Sequence, residues 1–380
     1  MRKRTAIVHI GLEKTGSTAI QRWLAFHRQA LQVAGILMPQ SIGFPNHTKL
    51  VSACLDDGVV DNIKSHHLFA SGLSEARFRT AVFADLAQEV QQADPSWHTL
   101  VISSELISSR LSSEGEINRL VTEVKRYVDH IHFVVFLRRQ DQLALSRFSS
   151  ILRSGYGQFD DLYVDYSPFN FVSVVDRRPI SDDLFFYDFE AILNRFDGLA
   201  NCELGVFFYG ADRPIAIFAQ LLKFYENSQA EPRHNSALSA EAQFIIAQLN
   251  QRFPVQFPSG MRNDAYRQLQ RQIEREVPGP PRMISRQSAL DFLSRYRDAN
   301  QRICGRFGRC SEEVFPDHFS TYPLEVDYSQ LPLHVNDRLL HYQALSKRIP
   351  VKEPFAPRIQ AQARRLKGRV KRFVNGRSKE

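Results

Sequence analysis

The sequence predicts an α/β fold: a mainly parallel central sheet flanked by helices, with helical additions toward the C-terminus. Three observations predict it. Short runs of β-branched and aromatic residues recur, stretches of helical periodicity separate them, and a glycine-bounded loop follows the first run directly.

The runs are Ala6 to Ile10, Thr99 to Ser103, Ile131 to Leu137 and Leu204 to Tyr209, which read as buried strands. Helical periodicity fills Ser17 to Val33, Glu75 to Gln91, Glu116 to Tyr127 and Gln140 to Arg153. From about residue 211 helices replace the alternation, at Ala211 to Tyr225, Ser239 to Arg252 and Ser285 to Phe307, with polar and Pro-rich connections such as 277–281. We expect one α/β domain over 1–350 and a basic tail over 351–380, the helical part packing on the sheet or acting as a lid.

At 380 residues and 43% hydrophobic content the chain has enough apolar material for a large core. Its four cysteines, Cys54, Cys202, Cys304 and Cys310, lack C-x-x-C spacing, which argues against a disulfide framework or structural zinc and fits a reduced, cytoplasmic setting. The apolar stretch behind Arg2, Lys3 and Arg4 breaks at Gly11, so it reads as a strand and not a signal peptide. Net charge is +8, but Arg358 to Glu380 holds nine Lys/Arg and one acid, so the rest of the chain is near neutral. That distribution argues against a nucleic-acid partner. With Ile359, Leu366, Val370, Phe373 and Val374 among its cations, the tail 358–380 suits either a basic amphipathic helix at the inner membrane surface or on an anionic glycan, or a solvated extension.

In an open parallel sheet, ligands sit beyond the carboxyl ends of the strands. Gly11-Leu12-Glu13-Lys14-Thr15-Gly16-Ser17-Thr18 is such a place, a loop between strand and helix whose amides and helix dipole suit an anion. The glycine spacing is that of a nucleotide-triphosphate loop, G-x-x-x-x-G-K-[ST], but the lysine is displaced: Ser17 follows Gly16, and Lys14 precedes it by two. No acid is plainly placed to hold magnesium, since Ile131 to Leu137 runs into Arg138 and Arg139. These departures weaken a phosphoryl-transfer reading. A plain strand-to-helix turn would also satisfy the two glycines.

Lys14-Thr15-Gly16-Ser17-Thr18 at a strand end resembles the 5′-phosphosulfate loop of the PAPS-dependent sulfotransferases. Arg138 at a strand end with Ser146 eight residues later resembles that family's 3′-phosphate element. The resemblance implies a P-loop-like sulfotransferase fold, PAPS as co-substrate with PAP as product, and no required metal. It implies further that the loop amides, Ser17 and Thr18 hold the 5′-phosphate and that Lys14 contacts the bridging oxygen. Arg139 competes with Arg138, and only the spacing to Ser146 separates them. More weakly, 233–239 (Arg233, Asn235 and Ser236 among them) resembles a stretch of bacterial carbohydrate sulfotransferases, which implies a glycan or glycolipid acceptor; a loop with an N-cap at Ser236 or Ser239 explains the same residues.

An acceptor hydroxyl needs a base opposite the leaving phosphate. His47, in the polar stretch 38–47, is the first candidate by the family resemblance, and Glu105 just past Thr99 to Ser103 is its rival; His66 and His67 read as solvated. No H-e-x-x-H or paired Cys/His spacing points to a metal, and no G-x-S-x-G points to a serine nucleophile. The alternatives are a phosphoryl transferase built on the same loop and a non-catalytic nucleotide- or glycan-binding protein.

Overall fold

Alternating side chains in each strand divide between two apolar layers, and this division sets the architecture of the computed structural model. The structure describes residues 3–155, 186–225, 237–315, 319–328 and 330–352. The strands are β1 (Thr5–Gly11), β2 (Ile36–Leu37), β3 (Thr99–Ser103), β4 (His130–Leu137) and β5 (Cys202–Phe208). They form one sheet in the order β2-β3-β1-β4-β5, and every pairing is parallel.

On one face Val8, Ile102, Phe133, Val135 and Phe208 share one apolar cluster with α3 (Thr48–Cys54), α4 (Asn62–Ser71), α5 (Glu75–Gln92), α6 (Leu106–Arg110), α7 (Glu114–Lys125) and α8 (Gln140–Arg153). On the other, Ile7, Val101, Val134 and Phe136 meet α1 (Ser17–Phe26), α2 (Arg28–Val33) and the helix Pro214–Leu222 through Ile20, Trp23, Leu24 and Phe218. Each such side chain, fully buried, stabilises by roughly 1.5–3 kcal/mol, so the sheet is the rigid platform of the molecule.

The helices 240–250, 264–276 and 336–345 do not lie on the sheet. They form a satellite core with Phe148, Ile151 and Leu152 of α8, centred on Ile245, Phe253, Tyr266 and Ile273. Helix starts follow local chemistry. Ser113 accepts from the Glu116 amide while the Glu116 carboxylate accepts from the Ser113 amide, and Ser239 accepts from the Ala242 amide. Ser239 is therefore the N-cap of its helix; Arg233, Asn235, Ser236 and the tail 358–380 lie outside the described residues. No helix among the described residues is long and apolar enough to cross a membrane.

The order of the strands positions the site. From β1 the chain runs to the edge strand β2 and returns to β3 on one side, then crosses to β4 and β5 on the other. The cleft beyond β1 is the switch point at which such sheets receive ligands.

Candidate active site

Gly11 ends β1 with φ 117°, and Gly16 opens α1 with φ 93°, both in the left-handed region that a side chain resists. A Cβ on Gly11 would meet the Glu105 backbone at 3.1 Å, and one on Gly16 would meet Pro214 Cγ at 3.2 Å and Tyr209 Cε2 at 3.4 Å. The loop is thus clasped between Glu105 on the β3 side and Tyr209 on the β5 side. Inside it, the Leu12 carbonyl accepts from Thr15 Oγ1 at 2.6 Å and from Ser17 Oγ at 3.1 Å.

Those two hydroxyl hydrogens are spent on closing the loop. What the loop offers an anion is its backbone, the first-turn amides of α1 that helix geometry leaves without a partner, and the exposed Thr18. The first turn of α1 carries no acid to compete for them.

Lys14 adopts φ 65°, and its carbonyl accepts from Arg138 Nη1 at 3.2 Å. This contact joins the β1 loop to the end of β4. Arg138 stands 5.2 Å above the Tyr209 ring, and its Nε has no hydrogen-bond partner among the described residues. Arg139 points elsewhere: its Nε and Nη2 each donate at 2.8 Å to the Asp141 carboxylate, which also accepts from the Tyr322 hydroxyl at 2.5 Å. Of the two arginines in sequence competition, only Arg138 faces the loop. Ser146 lies half-buried on α8 two turns further on. Tyr209 and Pro214 belong to no local motif; their one signal in the sequence is an aromatic residue closing a strand at the carboxyl edge.

His47 is fully buried, and both ring nitrogens are engaged: Nδ1 accepts from the Ser103 amide at 2.8 Å, and Nε2 donates to the Pro39 carbonyl at 2.8 Å. Burial pushes its pKa down to about 4. It is a neutral imidazole with no lone pair turned to the cleft. Its own amide donates to Ser103 O at 3.0 Å, so the ring and the backbone together pin the 38–47 loop to the end of β3.

That pinning sets the adjacent Asn46, whose Nδ2 donates to both oxygens of Glu105 at 3.0 and 3.1 Å. Gln21 Nε2, from α1, donates to Glu105 Oε2 at 2.7 Å. Burial raises the Glu105 pKa above its ordinary value; the hydrogen bonds from Gln21 and Asn46 oppose the shift, and the Glu13 charge adds to it. Lys14 is lowered by burial and by the Arg153 charge, with Glu13 and Glu105 acting against this. The structure therefore gathers the loop, Lys14, Arg138 and Glu105 at one strand edge and holds His47 behind them. No group of three or more His, Cys, Asp or Glu among the described residues is placed to hold a metal ion.

Among solved structures, the chain is similar to one titled "Sulfotransferase Domain from the Curacin Biosynthetic Pathway", with 13% identity and a TM-score of 0.29 over 74% of this chain and 99% of that one. No protein-family model and no curated protein matches the chain.

Proposed function

We propose that this protein is a sulfotransferase that moves a sulfuryl group from PAPS to an acceptor hydroxyl or amine, on a carbohydrate or glycolipid. The observation that carries the reading is the contact of Arg138 with the Lys14 carbonyl, which brings a second cation to the edge of an anion-binding loop. A donor with phosphates at both its 5′ and 3′ positions needs two such centres. In this reading the loop amides and Thr18 hold the 5′-phosphate, and Arg138, with Ser146, holds the 3′-phosphate.

Glu105 is the base we propose. It flanks the loop on the side away from Arg138, and Asn46 and Gln21 orient it. The acceptor oxygen attacks sulfur in line; its proton passes to Glu105 as the new S–O bond forms. The bond from sulfur to the bridging oxygen breaks, and its electron pair leaves on the 5′-phosphate of PAP beside Lys14, whose ammonium offsets the developing charge. His47 acts through Asn46 as a positioning residue.

The test is transfer of labelled sulfate from PAPS to a glycan panel with EDTA present, alongside calorimetric titration with PAP. Transfer that persists in EDTA supports the reading. Turnover of a nucleoside triphosphate that requires magnesium would replace it with phosphoryl transfer, and tight PAP binding without turnover on any acceptor would leave a binding protein.

A further inference from the structure

The helix Asp264–Glu276 is tied at its two ends to the two sides of the candidate site. Tyr266, Leu269, Gln270 and Ile273 turn inward, and the spacing i, i+4, i+7 places Arg267, Arg271 and Glu274 together on one flank. At the C-terminal end Glu274 pairs with Arg153 of α8, whose charge reaches Lys14. At the N-terminal end the preceding loop is clamped onto α4. Gln256 Nε2 donates to the Asn62 carbonyl at 2.8 Å, His66 Nδ1 donates to the Gly260 carbonyl at 3.3 Å, and Gly260 lies too close to the Ser65 carbonyl to carry a side chain. The next residue of α4, His67, is hydrogen-bonded through Nε2 to Thr48 Oγ1 at 2.9 Å; Thr48 stands two residues beyond Asn46, which holds Glu105. The flank therefore runs between Lys14 and the neighbourhood of Glu105.

Its charges are unbalanced. Arg262 and Arg271 are exposed and Arg267 is half-buried, and none of them has an ion pair or hydrogen bond among the described residues. Burial, Arg262 and Arg271 together push the Arg267 guanidinium below its ordinary value, with Asp264 acting against them. His66 is lowered by burial, Arg262 and Arg267, against the Gly260 carbonyl and Asp264; His67 falls to about 4 through burial, His66, Lys49 and Arg262, against Asp61. Asp61 is itself engaged by Arg110 at 3.1 Å. Like charges gathered with so little counter-charge repel one another, and a bound polyanion relieves that repulsion.

We propose that Arg262, Arg267 and Arg271 bind anionic sugar residues flanking the one that is sulfated, so that the acceptor is an acidic polysaccharide lying along this helix. The row is open to solvent, and Arg267 and Arg271 are about 6 Å apart along the helix axis. An extended chain reaches them from the surface and needs no cavity. Each guanidinium presents paired N–H donors that match a carboxylate or a sulfate. This inference rests on the sulfotransferase reading for the identity of the second substrate.

The test uses the full chain saturated with PAP and titrated calorimetrically with a hyaluronan octasaccharide, a sulfated dextran octasaccharide, neutral maltooctaose and a short DNA duplex. The acidic glycans are expected to bind roughly tenfold or more tightly than maltooctaose, and Arg262→Gln, Arg267→Gln and Arg271→Gln combined should cut their affinity roughly ten- to a hundredfold without changing PAP affinity. Preference for one acidic glycan identifies carboxylate or sulfate as the group recognised. Bound glycan should also raise the pKa of the His66 imidazole, followed by NMR, because an anion favours the protonated ring. Equal binding of the neutral chain, no binding of the acidic ones, or DNA bound as tightly through the same arginines overturns the proposal. So does acidic-glycan affinity that survives the triple substitution with His66 unmoved, which assigns the binding to the nine Lys/Arg of the tail 358–380. Should the triple variant not fold, the exposed pair Arg262→Gln and Arg271→Gln decides. Failure of PAP itself to bind counts against the sulfotransferase reading instead, which separates the two outcomes.

Discussion

Arg138 Nη1 reaches across from the end of β4 to the carbonyl of Lys14 at 3.2 Å, and the two residues are 124 positions apart in the chain. The bond makes the conformation of the loop between β1 and α1, proposed to hold one phosphate, depend on the residue proposed to hold the other. A ligand that orders one half of the site orders both.

Arg138→Ala removes a charge-assisted donor and also frees the Lys14 carbonyl. We expect PAP affinity to fall by roughly ten- to a hundredfold, the equivalent of about 1.5–3 kcal/mol. Lys14→Ala should weaken PAP less and lower the rate of sulfuryl transfer more, because its charge matters most when the bridging oxygen becomes a leaving group. Calorimetry with PAP and single-turnover kinetics measure the two effects; unchanged affinity in both variants would sink the donor model.

His47 is neutral in the folded protein and titrates near 4, whereas an unfolded histidine titrates at 6.5. The unfolded state therefore binds more protons between these values. The sign follows: this contribution to stability is fully present above pH 6.5 and is lost as pH falls through about 4, on the order of 3 kcal/mol in all. His9, pushed down to about 3 by burial, acts in the same direction. Denaturant unfolding across this window should show the decline, and His47→Gln should flatten part of it. A wild-type stability independent of pH from 6.5 to 4 contradicts the buried neutral ring.

The sheet was legible because its strands are buried on both faces and so read as continuous apolar runs; the bounds expected for Thr99 to Ser103 and for Gln140 to Arg153 agree residue for residue with β3 and α8. The two-residue β2 was not, since Ile36 and Leu37 acquire strand character only from pairing with β3. The expected helix 17–33 divides at His27, and 285–307 divides between Ser294 and Arg297, because each run of periodicity continues across a change of axis. At the site, the loop and Arg138 were visible as local pattern and spacing. The spent state of His47 was not, because its partners, Pro39 and the Ser103 amide, are backbone groups whose positions no side-chain pattern encodes.

Asp141 is fully buried and accepts from Arg139 and Tyr322. Arg139→Ala would leave that carboxylate unpaired in the interior, at an expected cost of about 3–5 kcal/mol. Tyr322→Phe removes one hydrogen bond and should cost about 1 kcal/mol. Chemical denaturation ranks the two; if Arg139→Ala is as mild as Tyr322→Phe, the pair contributes less than its geometry implies.

As the proposed base, Glu105 has to be ionised to accept a proton, and its pKa is raised above the ordinary carboxylate value of 4.5, chiefly by burial. The rate constant kcat/KM should therefore decline as pH falls, with an acid limb above that value. Gln21 and Asn46 both donate to the carboxylate and so favour its charged form. Removing either donor raises the pKa further, and Gln21→Leu or Asn46→Ala should move the acid limb to higher pH while PAP affinity stays constant. Glu105→Gln keeps the shape of the side chain but abolishes the base; turnover should fall by roughly 10²–10⁴-fold, and the limb should disappear. The direction of the shift distinguishes this role from a structural one, because a variant that merely loosened the loop would lower the rate at every pH alike. An acid limb that persists unmoved in Glu105→Gln would assign the base to another residue.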